Sequence, residues 1–335
     1  MSIQEVAKQA GVSSATVSRV FNLPDKVTEA TRQRVESIAK ALGYMPNASA
    51  RSLRTQRSRV LGVVLPTLLN PVFAECLDGI ASAATAAGYA ILPITTDYQL
   101  AQEDQAVNLL LAGNVDGMIL IVSNPSTSRA LKRLQTAKLP YVLAYNRHSA
   151  HPCVSVDSQA AVVSLVAHLG KLGHKRITLV SGQLAASDRA QQRFKGFQKG
   201  MQLAGLKTAH LLEVPFVTSA AQEVSKLLLT KGRPTALICS NDLLGIRCIR
   251  AAHLARLSVP DDLSVVGFDG IAIGEDLTPM LSTITQPNAE IGLRATGLLV
   301  QALAGGKPLK PAASLTLNHA FREGESCAQP ASTSE

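Results

Sequence analysis

The chain of 335 residues is too long for one small domain and suits two or three. With 46% hydrophobic residues it can bury a sizeable core, and it has no uninterrupted apolar run of membrane-spanning length. The net charge of +9 is uneven: residues 1–60 hold ten Lys/Arg against four acids, a small basic head on a nearly neutral body that points to a polyanionic partner.

The N-terminus lacks a signal-peptide pattern, so the protein is read as soluble and cytoplasmic. Its five cysteines (Cys76, Cys153, Cys239, Cys248, Cys327) form no C-x-x-C pair. Reduced, buried thiols are expected, with neither a metal site nor a cofactor.

In chain order, Ser2 and Glu5 have the spacing of a capping box that opens a helix with Ile3, Val6, Ala7 and Ala10 on one face. Gly11 permits a sharp turn. Ser13 can cap a second helix through Val17, Val20 and Phe21, and Thr28 a third with Val35, Ile38, Ala39 and Leu42 in helical period. Gly43 stops it. Met45 to Gln56 follows, with Pro46 suited to the first turn of a short helix that has little apolar surface. It reads as a hinge that orders when it gains a partner.

From Val60 strands and helices alternate. Apolar strand-like runs are Val60–Leu65, Tyr89–Ile94, Gly117–Val122, Pro140–Ala144, Ile177–Val180, Ala236–Cys239 and Leu263–Phe268. Helical stretches such as Phe73–Ala87, Ala101–Ala112 and Gln191–Ala204 lie between them. This predicts an α/β body of doubly wound parallel sheets, two units in tandem with a break near Ser155 to Ser158. Ligands of such sheets bind beyond the carboxyl ends of the strands, which places a shared cleft between the units.

Enzyme signatures are missing. No G-x-G-x-x-G follows the first body strand, no phosphate-binding G-x-x-x-x-G-K-[ST] occurs, and Leu179 stands where a G-x-S-x-G elbow needs glycine. An enzyme on this fold is one alternative. A solute-binding protein without DNA function is another, and the basic head argues against it.

The stretch Val6 to Asn22 (VAKQAGVSSATVSRVFN), the pattern from Val27 to Val35, Leu42 to Asn47 and Ala50 to Leu53 resemble the lactose-repressor/galactose-repressor family of bacterial transcription regulators. In the body Asn70-Pro71-Val72-Phe73, Ser240-Asn241-Asp242 and Val265 to Asp269 resemble it too, and the likeness runs collinearly over residues 2–322. It implies an all-α helix-turn-helix head (1–45), a hinge helix (46–57) and a two-lobed core like periplasmic binding proteins. The lobes would comprise 58–157 plus 286–313 and 158–285 plus 314–323, with a disordered tail over 324–335. The implied function is a regulator, most readily a repressor, that binds double-stranded operator DNA under control of a sugar, sugar acid or related metabolite. The tail has no leucine heptads, so a homodimer is expected over a tetramer.

The resemblance implies that Ser14, Ala15 and Arg19 face bases and that Ser13, Thr16, Ser18 and Asn22 meet phosphates. Short hydroxyls suit phosphate and an arginine fork suits guanine. In the hinge it implies DNA contacts at Asn47, Ser49 and Arg54, with Leu53 wedged into a base step of the minor groove. In the cleft it implies Phe73 and Phe216 as flat faces for a ring, with Ser123, Tyr145, Asn146, Asp157, Arg193, Asn241 and Asp269 around them. Thr67 and Tyr145 stand where many relatives carry Asp. With Arg193, and less surely Arg147 and Arg189, this favours an anionic effector slightly over a neutral sugar or nucleoside.

Overall fold

A computed structural model describes residues 2–44, 57–206, 210–306 and 308–331. The chain divides into two compact units, residues 1–58 and 59–335. Residues 46–56 of the predicted hinge, among them Asn47, Ser49, Leu53 and Arg54, lie outside the described residues.

In the first unit α1 (Ile3–Ala10), α2 (Ser14–Asn22) and α3 (Glu29–Ala41) pack around Val6, Val17, Val20 and Val35. The local signals explain the boundaries. Ser2 Oγ accepts the Glu5 amide, Gly11 closes α1 at φ 61°, and Ser13 Oγ accepts the Thr16 amide. Thr28 differs from expectation. It precedes α3, but its hydroxyl donates to Thr31 Oγ1 at 2.9 Å and caps no backbone amide.

The second unit begins with β1 (Val60–Leu65), α4 (Pro71–Ala86), β2 (Ala90–Thr95), α5 (Leu100–Ala112), β3 (Gly117–Leu120), α6 (Arg129–Ala137), β4 (Tyr141–Ala144) and β5 (Cys153–Val156). The chain then crosses at Asp157 into α7 (Ser158–Lys171), β6 (Ile177–Ser181), α8 (Asp188–Leu203), β7 (His210–Glu213), α9 (Ala220–Leu228), β8 (Ala236–Cys239), α10 (Asp242–Leu254), β9 (Ser264–Asp269) and β10 (Ser282–Thr285). It returns through α11 (Asn288–Gly305) and β11 (Leu315–Leu317), and crosses once more to β12 (Ala320–Arg322).

Two six-stranded sheets result, in the orders β11-β5-β4-β3-β1-β2 and β12-β10-β9-β8-β6-β7. Every pairing is parallel except β12 with β10. The central strands are buried on both faces, which accounts for their continuous apolar runs. α4 and α11 touch backbone to backbone in the first lobe. A Cβ at Gly79 would stand 2.0 Å from the Ala289 carbonyl oxygen, and one at Gly292 would stand 2.1 Å from that of Cys76.

Two predicted boundaries are corrected. β11 completes the first sheet beside β5, so residues 315–317 belong to the first lobe and not the second. The tail is not disordered over 324–331: Ser326 is fully buried, and its hydroxyl donates to the Val265 carbonyl at 2.6 Å while accepting the Ser282 amide at 2.9 Å. Hydrogen bonds to the backbone of β9 and β10 hold this segment, and Cys327 packs against the core. Residues 332–335 lie outside the described residues.

Candidate functional site

On the head, α2 exposes Ala15 and Arg19 one turn apart on the same face. Ser14, Thr16, Ser18 and Asn22 are half-buried around them. Ser13 Oγ lies 3.0 Å from Thr16 Oγ1, and Asn22 Nδ2 donates to the Ser18 carbonyl at 2.6 Å. Among the described residues no acid pairs with Arg19. The helix thus offers short polar groups at its start and an open guanidinium one turn on, a chemistry suited to phosphates and a guanine edge.

In the body, six of the predicted effector residues line one cavity where the lobes meet: Phe73, Tyr145, Arg193, Phe216, Asn241 and Asp269. Their places follow from the fold. Phe73 opens α4 behind the cap Asn70, and Asn241 caps α10 by accepting the Leu244 amide at 2.8 Å. Asp269 ends β9 with φ 118°. Its Oδ1 accepts from Arg193 Nη2 at 3.3 Å and Gln286 Nε2 at 2.9 Å. Burial pushes its carboxyl up to about 6, opposed by the Arg193 charge. Arg193 is buried beside it, with its guanidinium 3.7 Å over the Phe268 ring and Nη1 donating to the Ser240 carbonyl. Burial lowers the Arg193 pKa although Asp269 raises it. The Tyr145 hydroxyl donates to the Val72 carbonyl at 2.9 Å and reaches Asn288 Oδ1 at 3.2 Å.

Three predicted residues fall elsewhere. Ser123 turns into the first lobe, donating through both Oγ (2.6 Å) and its amide (2.7 Å) to Glu103, whose carboxyl burial raises. The Asn146 amide group is consumed by the Val122 backbone and by Asp188. Asp157 caps α7 through the Ala160 amide and pairs with Arg147 at 2.5 Å in a separate open groove of about 950 Å³. The charged groups lining that groove are largely paired with each other, as in Arg147–Asp157 and Arg189–Asp188.

Sequence reasoning missed Asn70, Tyr98 and Gln286 as cavity walls, while Arg189, named only as a less certain cation of the cleft, is one of them. Asn70, Tyr98 and Gln286 follow the carboxyl ends of β1, β2 and β10, so the strand-end rule was the available signal. The Tyr98 ring, in the first lobe, stacks on Phe216 of the second, with centroids 5.7 Å apart and planes 7° from parallel.

The three arginines that favoured an anion are each paired with a carboxylate. Arg147 pairs with Asp157 outside the cavity, Arg189 with Asp188 at 3.3 Å, and Arg193 with Asp269. The cavity wall carries Arg189, Arg193 and Asp269, and Asp188 pairs with Arg189 from outside that wall.

A three-helix head with a polar reading helix, in one chain with a two-lobed core that has a cavity at its lobe junction, defines a ligand-responsive DNA-binding protein. Residues 2–47 match the lacI family of bacterial regulatory proteins, and residues 166–327 match the periplasmic binding protein-like domain. The chain is 32% identical over 309 residues to the HTH-type transcriptional repressor CytR of Escherichia coli (strain K12), covering 90% of each. It is 33% identical over 306 residues to catabolite control protein A of Priestia megaterium, covering 90% of this chain and 92% of that one. The crystal structure of the lac repressor dimer bound to operator and the anti-inducer ONPF superposes with a TM-score of 0.87 at 25% identity, over 98% of this chain and 99% of that one. The chain belongs to the lacI family of bacterial regulatory proteins. It is a DNA-binding transcription regulator and not an enzyme. No helix among the described residues is long and apolar enough to cross a membrane.

Proposed function

We propose that the protein is a homodimeric repressor of a metabolic operon, released from or fixed to its operator by a neutral hydroxylated metabolite bound between the lobes. One observation carries the choice of ligand: both arginines of the cavity are already matched by carboxylates, Arg193 by Asp269 and Arg189 by Asp188. An anion would have to compete with those carboxylates. A neutral sugar or nucleoside can share their hydrogen bonds through its hydroxyls and lay a ring face on Phe73 or Phe216.

Residues 1–45 form the reading head in this account and 46–57 the hinge. Paired hinges of the dimer set Leu53 into a central base step, helped by Asn47, Ser49 and Arg54 at the minor groove. The lac repressor was crystallised as a dimer on its operator, which supports this arrangement. The effector acts only through different affinities for two lobe arrangements.

Footprinting on DNA upstream of the protein's own gene, with a panel of neutral sugars, nucleosides, sugar acids and sugar phosphates, tests the proposal. A pseudo-palindromic footprint that a neutral compound strengthens or abolishes is expected. A footprint that responds to sugar acids or phosphates alone overturns the neutral effector, and the absence of any protected site overturns the regulator of its own promoter region.

A further inference from the structure

The cavity between the lobes encloses about 40 Å³. One water occupies roughly 30 Å³ of liquid, while ligand pockets start near about 300 Å³. A sugar or nucleoside therefore enters only if a wall moves.

Most walls are tied down. Tyr145 is hydrogen-bonded to Val72 and Asn288, Arg193 to Ser240 and Asp269, and Asn241 to the start of α10. Phe73 is buried on the first turn of α4 against Tyr145, ring centroids 5.8 Å apart. Phe216 lies so close to Gly182 that a Cβ there would come within 1.9 Å of its ring.

Tyr98 has no such tie. It sits on the turn between β2 and α5, half-buried, and its hydroxyl has no hydrogen-bond partner among the described residues. Asp97 and Tyr98 both take left-handed backbone, at φ 47° and 60°, a conformation that non-glycine residues keep only where the surroundings favour it. Packing holds Tyr98 in place of hydrogen bonds: it lies against the core with a near-parallel stack on Phe216 and an edge-on approach to Phe73 at 6.5 Å.

We propose that Tyr98 is an internal plug, its ring occupying the stacking place on Phe216 that the effector's flat face takes. The inference rests on the effector site proposed above and adds how that site chooses its ligand. A ligand wins only if its ring replaces the phenol on Phe216 while its hydroxyls reach Asp269 and Asn241. Flexible, ringless polyols of the same polarity are refused. Because Tyr98 and Phe216 belong to different lobes, exchanging phenol for ligand also exchanges one bridge between the lobes for another, which gives the ligand a purchase on the lobe arrangement.

The chain contains no tryptophan, so Tyr98→Trp supplies a single fluorophore in the full-length protein. Without any ligand, acrylamide should quench Tyr98→Trp weakly, and adding Phe216→Ala should raise the quenching constant at least about twofold with the circular dichroism unchanged. Equal quenching with and without Phe216 overturns the plug. Calorimetry on the wild type with uridine (planar ring), cellobiose (pyranose face) and glycerol (no ring) then sets the ligand. Whichever ring compound binds should bind Tyr98→Ala about tenfold more tightly. Unchanged or weaker binding, or binding of glycerol alone, overturns the plug. If neither ring compound binds, the neutral-effector reading loses support, while the quenching result still decides the place of Tyr98.

Discussion

Asp188 opens a helix of the second lobe, yet its Oδ1 accepts a 2.6 Å hydrogen bond from Nδ2 of Asn146 in the first. The Asp188 amide donates to the Ser123 carbonyl at 2.7 Å, and Arg189 Nη1 donates to the Val122 carbonyl at 3.0 Å. Asn146 is itself held by both backbone groups of Val122. The first turn of α8 is therefore latched to the end of β3 across the lobe junction.

Asp188→Ala should destabilise the core by about 3 kcal/mol, because it leaves the buried Arg189 guanidinium without its carboxylate and Asn146 Nδ2 with one of its two acceptors, the Val122 carbonyl. Asp188→Asn keeps an acceptor and should cost clearly less. Urea unfolding midpoints measure both. Equal loss in the two variants would mean that the charge has no part in the latch.

The latch also shows where reading a sequence stops. Capping by Ser2 and Ser13 and the strand Val60–Leu65 were legible because each depends on neighbours a few residues away. Phe73, Asn241 and Asp269 were named from the family resemblance, with the strand-end rule as added support for Asp269, and all three line the cavity. Direction was not legible. Nothing near Asn146 says that its amide turns to Val122 and Asp188, and nothing near Tyr98 says that a phenylalanine from the other lobe stacks on it. The tail misled for a related reason. Its low apolar content is real, but Ser326 is ordered by backbone groups of β9 and β10, which composition does not reveal.

Asp242 Oδ2 accepts the Gly270 and Ile271 amides at 2.7 and 2.8 Å, and Oδ1 accepts from Thr283 Oγ1 at 2.5 Å, fixing the turn that carries Asp269. Burial, then the charge of Asp269, pushes its carboxyl up to about 7. The folded state thus keeps a proton that the unfolded chain releases near pH 4. The stability this group contributes is greatest at low pH and falls as pH rises towards about 7. Asp269 and Glu103, also raised by burial, work in the same direction as Asp242, and His174, whose pKa burial lowers, works in the opposite direction below its ordinary value, so the whole-protein profile mixes several groups. The difference between variants isolates Asp242. Asp242→Asn should gain about 2 kcal/mol relative to wild type between pH 5 and 7. Parallel stability curves for the two proteins would refute this.

Ser326→Ala should cost about 1–3 kcal/mol, since it leaves the buried Ser282 amide without an acceptor. Ending the chain after Glu323 should cost more, because Val265 also loses the Ser326 carbonyl and His174 Nε2 loses the Ala328 carbonyl at 2.9 Å. A free tail would show no change in either denaturation midpoint, which makes the comparison decisive.

Arg19 is the only cation on α2, exposed one turn beyond Ala15 and without an acid partner among the described residues. The neighbouring polar groups are partly committed within the helix, Ser13 to the Thr16 amide and Asn22 to the Ser18 carbonyl. They can still accept or donate at a phosphate, but they are short and carry little base-specific information. Sequence choice by the head is then expected to fall mainly on the Arg19 fork, which can pair with guanine O6 and N7. Arg19→Ala should weaken operator binding by about 1–3 kcal/mol and relax one position in each half-site. Because the Arg19 side chain is exposed and has no salt bridge or hydrogen bond among the described residues, thermal unfolding of the head should stay where it was. Binding-site selection with the variant checks the claim. An unchanged consensus would show that another residue reads that base.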